Sequence, residues 1–183
     1  MLAQTLKTPN LTLVPASAAH VQAELDDHEA FASLLGAVVP ASWPPAAYDE
    51  STQRFFLARL RALGADGIGW YGWYAIRHAD GDVPATLVAI VGYYGPPSPQ
   101  GVVEIGCSVC PEWRGRGYAV EAVQALTGHI LREAGVTRIL SHAFEDDPAA
   151  IRVLERCGYA RLGPGAQAVA RELRHTHEAP HIQ

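Results

Sequence analysis

The stretch that most constrains this chain is a strand, a glycine turn and a helix in direct succession. Val102-Val103-Glu104-Ile105-Gly106-Cys107-Ser108-Val109 is rich in β-branched and apolar residues, as a strand requires. Arg114-Gly115-Arg116-Gly117 then turns the chain. From Tyr118 to about Ala134, residues Ala119, Ala122, Val123, Leu126 and Ile130 recur at spacings of three and four, which is the stripe of a helix laid on a sheet. The glycines let the backbone approach a ligand with no Cβ in the way. The turn's successive N–H groups, the unpaired donors of the helix's first turn and the positive end of its dipole together make an anion site. With the charges of Arg114 and Arg116 it is fitted to a phosphate or pyrophosphate. The plain alternative is a turn whose glycines serve only the chain reversal. Two other phosphate loops do not fit: no GxxxxGK[ST] occurs, and the third glycine of GxGxxG falls on Val120.

Around this unit the chain alternates periods. Asn10–Pro15 reads as a short strand ended by proline. Ser17 caps a helix running to about Leu35, with Gly36 as its stop. Pro40–Pro45 is a proline-rich loop, and a helix from about Tyr48 to Leu63 follows with Phe55, Phe56, Leu60 and Leu63 as its apolar stripe. Trp70–Arg77 and Thr86–Tyr94 are strands joined by the turn Asp80-Gly81-Asp82, the second apolar on both faces as a central strand should be. After the long helix come a strand over Thr137–Ala143 and a helix opened by Asp147-Pro148, with Ile151, Val153 and Leu154 apolar and Gly158 as its end. A last strand includes Val169–Leu173. With 183 residues, no repeat and no linker, the chain reads as one mixed α/β domain over 1–183, with 174–183 a loose tail.

Charge narrows the partners. A net charge of -5, from 14 basic and 19 acidic residues, argues against broad nucleic-acid binding and is compatible with a cationic substrate such as an amine. Three cysteines suggest a reducing compartment. Met1–Val14 lacks a basic stretch followed by an apolar run, and no apolar run reaches the roughly 20 residues of a membrane span. The expectation is a cytoplasmic protein that needs no membrane.

Several further residue types bear on chemistry. Cys107-Ser108-Val109-Cys110 is a C-x-x-C, but a second pair is missing and strand alternation sends the two sulfurs to opposite faces, so no metal is expected. His175, His177 and His181 sit in a polar tail. His142 lies near a strand end beside the cleft that the glycine turn implies. Trp43, in the proline-rich loop, is the aromatic side chain best placed to meet substrate. Glu104 lies on the strand feeding the turn, where a carboxylate can take the proton of an ammonium, directly or through water. Its structural alternative is an exposed edge or a salt bridge.

These motifs resemble the GNAT superfamily of acyl-CoA N-acyltransferases, whose cofactor motif [RQ]-x-x-G-x-[GA] reads here Arg114-Gly115-Arg116-Gly117-Tyr118-Ala119. The run from Val103 to Ala122, and Asp147-Pro148-Ala149-Ala150-Ile151-Arg152-Val153-Leu154-Glu155-Arg156-Cys157-Gly158-Tyr159, look like the Rim-type branch, which acetylates N-terminal amines of ribosomal proteins. The resemblance implies an α+β fold with a mostly antiparallel sheet of six to seven strands and about four helices. It implies acetyl-CoA as co-substrate and direct transfer to a primary amine, a protein N-terminus or a small amine, in a ternary complex of a monomer or homodimer. Backbone N–H groups of Arg114, Gly115, Arg116, Gly117, Tyr118 and Ala119 would hold the pyrophosphate. Val109 and Cys110 would pair with the pantetheine arm, with the Val109 N–H facing the oxyanion. Glu104 would be the base. The family often has Asn where Asp147 stands, so Asp147 either contacts the pantetheine or only caps its helix. A Ser or Tyr that would protonate the leaving thiolate is replaced by Ala150 and Leu154, which leaves water or Tyr159 as the donor. That departure motivates a second reading, an acyl-CoA-binding or sensing module that has lost transfer. A phosphate-binding protein for another nucleotide is a third.

Overall fold

Alternation and turn chemistry decide where this chain pairs. The computed structural model describes residues 4–144, 146–161 and 168–174. Its strands are β1 (Leu6–Lys7), β2 (Leu11–Pro15), β3 (Gly72–Arg77), β4 (Thr86–Tyr93), β5 (Val102–Val109), β6 (Arg138–Phe144), β7 (Ala160–Arg161) and β8 (Ala168–Arg174). The helices are α1 (Ala18–Asp26), α2 (His28–Leu35), α3 (Glu50–Leu63), α4 (Tyr118–Ile130) and α5 (Pro148–Arg156). The sheet order is β1-β2-β3-β4-β5-β6-β8-β7. Every neighbouring pair is antiparallel except β5 and β6, which run parallel. A parallel pair needs a long crossover, and α4 provides it. The fold is the expected α+β class. Its strand count exceeds the expected six to seven because β1 and β7, of two residues each, extend the sheet beyond its six longer strands.

The sheet is covered on both faces. β3 sends Trp73 and Ala75 into one apolar cluster and Tyr74 and Ile76 into another. The first cluster takes Ala122, Val123, Leu126 and Ile130 of α4 and Leu154 of α5. The second takes Val21 of α1, Phe31 of α2 and Phe56, Leu57 and Leu60 of α3. All residues of β3 and β4 are buried, as central strands between two helical layers must be.

The helices correct several expectations. The first long helix is two, because Asp27 takes an extended conformation (φ -153°, ψ 94°) and its carboxylate accepts from the N–H groups of Glu29 and Ala30, capping α2. Asp competes with helical geometry through such bonds, and a cap outweighs continuity here. Among the described residues this makes five α-helices where about four are expected. α3 starts at Glu50, after the cap Asp49, because Tyr48 is drawn into the core. Its buried stripe is Gln53, Phe56, Leu57 and Leu60, while Phe55 and Leu63 face outward. α4 ends at Ile130 rather than near Ala134. Arg174 closes β8, and residues 175–183 of the expected tail, with their three histidines, lie outside the described residues. No helix among the described residues is long and apolar enough to cross a membrane.

Candidate active site

β5 and β6 pair only at Val102, Val103 and Glu104 against Arg138, Ile139 and Leu140. Beyond that point β5 stays with β4, and β6 stays with β8, so the two parallel strands part. The ladder fixes which groups face the opening. The Tyr94 N–H donates to the Glu104 carbonyl and the Cys110 N–H to the Val88 carbonyl, so Glu104, Gly106, Ser108 and Cys110 point their main chain toward β4. Ile105, Cys107 and Val109 therefore point theirs into the opening. Arg114 agrees, for its Nε donates to the Val109 carbonyl at 3.0 Å.

The opening leads into a cleft of about 460 Å³. One wall is the turn before α4. Gly115 and Gly117 have φ of 76° and 87°, and a Cβ at either would meet nothing within 4 Å. Their glycine character therefore serves the left-handed backbone, which leaves open space beside it. α1, α2, α3 and α5 each begin with a side chain that accepts first-turn N–H groups: Ser17, Asp27, Asp49 and Asp147. α4 begins at Gly117 with no side-chain cap, so its first-turn N–H groups have no side-chain partner where Gly117, Tyr118 and Ala119 line the cleft. Glu121 fixes this helix start in place. Its carboxylate accepts from the Thr8 hydroxyl (2.6 Å), the Asn10 N–H (2.8 Å) and the Asn10 side-chain amide (2.9 Å), pinning α4 to the β1–β2 turn. Burial alone would raise the Glu121 carboxyl; these bonds hold it below its ordinary range.

The opposite wall is α5. Asp147 lines the cleft, yet its Oδ1 accepts from the N–H groups of Ala149 and Ala150 at 3.1 and 3.0 Å, so it is a helix cap at the rim. Ala150 and Leu154 line the cleft, as do Arg152 and Arg156, two exposed cations one helical turn apart that the sequence did not single out.

Of the residues expected to bind cofactor, Val109, Arg114, Gly115, Gly117, Tyr118, Ala119 and Asp147 line this cleft. Two do not. Cys110 is fully buried in the cluster under α1–α3, and its N–H and carbonyl are spent on Val88 and Trp113. Arg116 turns its guanidinium away, 4.8 Å over the Trp113 ring, so only its main chain belongs to the turn. Trp43, expected to meet substrate, is a core residue: it is 5% exposed and its Nε1 donates to Glu24 at 2.7 Å. Tyr159, considered as a proton donor, is buried with its hydroxyl 2.8 Å from that of Thr127, and burial pushes it up to about 12. Among the described residues no group of three or more His, Cys, Asp or Glu side chains is placed to hold a metal.

Glu104 lies where the strands part. Val103 and Ile105 enter the α4 cluster, so Glu104 points to the other face of the sheet. Its Oε1 is 3.8 Å from Nε2 of His142, which lines the cleft. On the same face Tyr94 covers Gly106, where a Cβ would lie 2.8 Å from the tyrosine hydroxyl. Burial, and then the charge of Glu104, push the Tyr94 phenol up. Phe56 of α3 packs against Tyr94 with ring centroids 6.1 Å apart, so an aromatic surface borders the carboxylate.

A sheet parted beside an uncapped helix start sets a free strand edge and unpaired main-chain donors on one cleft. The chain belongs to the acetyltransferase (GNAT) domain family, which it matches over residues 11–160. It is 27% identical over 137 residues to the uncharacterized N-acetyltransferase YjdG of Bacillus subtilis, covering 75% of this chain and 77% of that protein. Its fold is similar to that of a ribosomal-protein alanine acetyltransferase from Vibrio fischeri (TM-score 0.62, 14% identity, 97% of this chain and 100% of that one). It is also similar to RimL, a ribosomal α-N-protein acetyltransferase solved with coenzyme A (TM-score 0.60, 17% identity, 93% and 98% covered).

Proposed function

We propose that this protein moves an acetyl group from acetyl-CoA to a primary amine, a protein N-terminus or a small amine, by direct attack within a ternary complex. The observation that carries the reading is the alignment of the uncapped start of α4 with the free edge of β5 across one cleft. The residues present fit coenzyme A. Amides of the Arg114–Ala119 turn suit the pyrophosphate, and the open space beside Gly115 and Gly117 admits it. Arg152 and Arg156 add positive charge from α5. The main chain of Cys107 and Val109 suits the amide-bearing pantetheine arm, which would continue the sheet as a strand does. The Val109 N–H then meets the thioester oxygen, a contribution of about 3 kcal/mol in enzymes where one such donor has been removed.

Glu104 is the base in this reading. It takes a proton from the ammonium, and the neutral amine attacks the carbonyl carbon. The negative carboxylate also attracts a cationic acceptor, and the Tyr94–Phe56 surface offers apolar contact to the group that carries the amine. The Rim-type branch and an N-terminal acceptor belong to this reading.

The test is acetyl-CoA turnover against a panel of peptide N-termini and small amines, with calorimetry of CoA, ATP and NAD beside it. CoA is expected to bind and the nucleotides are not, and Glu104→Gln is expected to lower kcat about 100-fold at neutral pH. Full activity of Glu104→Gln would remove the base assignment. Absence of CoA binding would remove the whole reading. Ala150 and Leu154, which carry no exchangeable side-chain proton and line the cleft, favour one alternative, a module that binds acyl-CoA without transfer. Tight binding with no turnover would select it.

A further inference from the structure

We infer that His142 is a second proton-carrying residue of the transfer, coupled to Glu104 across the parting of β5 and β6. The inference rests on the acetyl-transfer reading above. It starts from proton bookkeeping. An ammonium acceptor loses two protons on its way to an amide: one before attack and one from the attacking nitrogen as the C–N bond forms. The thiolate regains one when the C–S bond breaks. One carboxylate serves the first loss, but the positions where a donor is expected do not serve the thiolate: Ala150 and Leu154 of α5 have no side-chain proton to give, and Tyr159, after α5, is held in the core by Thr127.

His142 is placed for that work. Ile139 and Ala143 of β6 enter the α4 cluster, so His142 points to the other face, the one that carries Glu104. The parallel register sets Glu104 against Leu140, two residues before His142 on the same face. Their side chains come to 3.8 Å, both about half exposed, and His142 borders the same cleft as Gly106 and Cys107. An imidazole carries one nitrogen that accepts a proton and one that donates, so it can both take and return one. Among the described residues, Glu104 of β5 faces it directly, Tyr94 after β4 faces Glu104, and Cys107, Arg114, Tyr118, Asp147, Arg152 and Arg156 line the same cleft. β8 brings Ala170 opposite His142 and Glu172 opposite Leu140.

The step balances as follows. The ammonium gives one proton to Glu104, and one solvent water bridging the 3.8 Å gap relays it to the imidazole. The freed lone pair of the amine forms the C–N bond, and the carbonyl π pair moves to oxygen. When that pair returns, the C–S bond breaks and sulfur leaves with its electrons. The imidazolium protonates the thiolate, the second N–H proton passes to Glu104, and Glu104 releases it to solvent. Nothing is oxidised or reduced.

The experiment compares wild type, His142→Gln, Glu104→Gln and the double variant, reading kcat and KM across pH and the CoA dissociation constant by calorimetry. His142→Gln is expected to lower kcat about 10- to 100-fold, with CoA affinity within about twofold of wild type as the control for folding. Its kcat profile against pH should differ in shape from that of the wild type, because one of two proton-carrying groups is gone. The double variant should lose little more than Glu104→Gln alone, since residues acting as a unit are not additive. A wild-type kcat and pH profile in His142→Gln would overturn the inference and leave the acetyl-transfer reading standing, as would additive losses in the double variant. A wild type that binds CoA but acetylates no amine would overturn the reading itself, and this inference with it.

Discussion

At Gly117 the backbone stands at φ 87°, where an L side chain costs about 1–2 kcal/mol. Gly81, in the β3–β4 turn, has the same problem at φ 54°, and a Cβ at either glycine would meet nothing within 4 Å. The two sites therefore share a conformational penalty and differ in what lies beside them. Gly81→Ala and Gly117→Ala are each expected to lose about 1 kcal/mol in urea unfolding. Only Gly117→Ala should also weaken CoA, about tenfold or more, because the amides of the turn must rotate away from the pyrophosphate. Equal CoA affinity in both variants would show that the turn is not the anion site. Such backbone roles were legible from the residues, since only glycine suits them. Side-chain roles were less so. Nothing local distinguishes a tryptophan beside a ligand from one that donates to a buried carboxylate nineteen positions earlier, so Trp43 was misplaced. Cys110 was misplaced because ladder parity, which a single strand does not reveal, turns its amide toward β4.

Among the elements, β5 appeared at the expected bounds, since its alternation is strong and glycine or proline flanks it. The break between α1 and α2 was hidden, because an Asp inside a helical pattern looks like an exposed position until its carboxylate is seen capping the next helix. α5 was legible as a helix from Asp147-Pro148, but its functional face was not. Arg152 and Arg156 look like ordinary surface charges, and only the parting of β5 from β6 turns them toward a cleft. Exposed cations interact with a phosphate through water, so each is worth up to about 1 kcal/mol and is screened by salt. The double variant Arg152→Gln/Arg156→Gln is therefore expected to weaken CoA about three- to tenfold at low ionic strength. Its affinity should depend less on salt than that of the wild type. Parallel salt slopes for the two proteins would place the phosphates elsewhere.

Across the molecule, the layer that faces away from α4 is tied together by one buried carboxylate. Glu24 of α1 is 4% exposed. It accepts from Trp43 Nε1 at 2.7 Å and the Tyr48 hydroxyl at 3.1 Å, in the segment before α3, and from the Tyr74 hydroxyl of β3 at 2.7 Å. Glu24→Ala leaves three buried donors unpaired and is expected to cost about 3 kcal/mol. The pH dependence has a definite sign. Burial raises the Glu24 carboxyl above its ordinary value of 4.5, and the hydrogen bonds from Tyr74, Gln53, Trp43 and Tyr48 only partly oppose it. A group raised in the folded state holds its proton more tightly there than in the unfolded chain. Its stabilising contribution is full below pH 4.5 and is lost as pH rises through the folded value. Asp49 and Glu112 act in the opposite sense, held low by hydrogen bonds from Ser51 and Ser42, so the total stability of the wild type mixes both signs. The difference between wild type and Glu24→Gln cancels those groups. Measured by urea unfolding from pH 4 to pH 8, that difference should favour the wild type most at the acid end and shrink as pH rises. A difference that grows with pH would mean that the network holds Glu24 as a stabilised carboxylate, with its hydrogen bonds outweighing its burial.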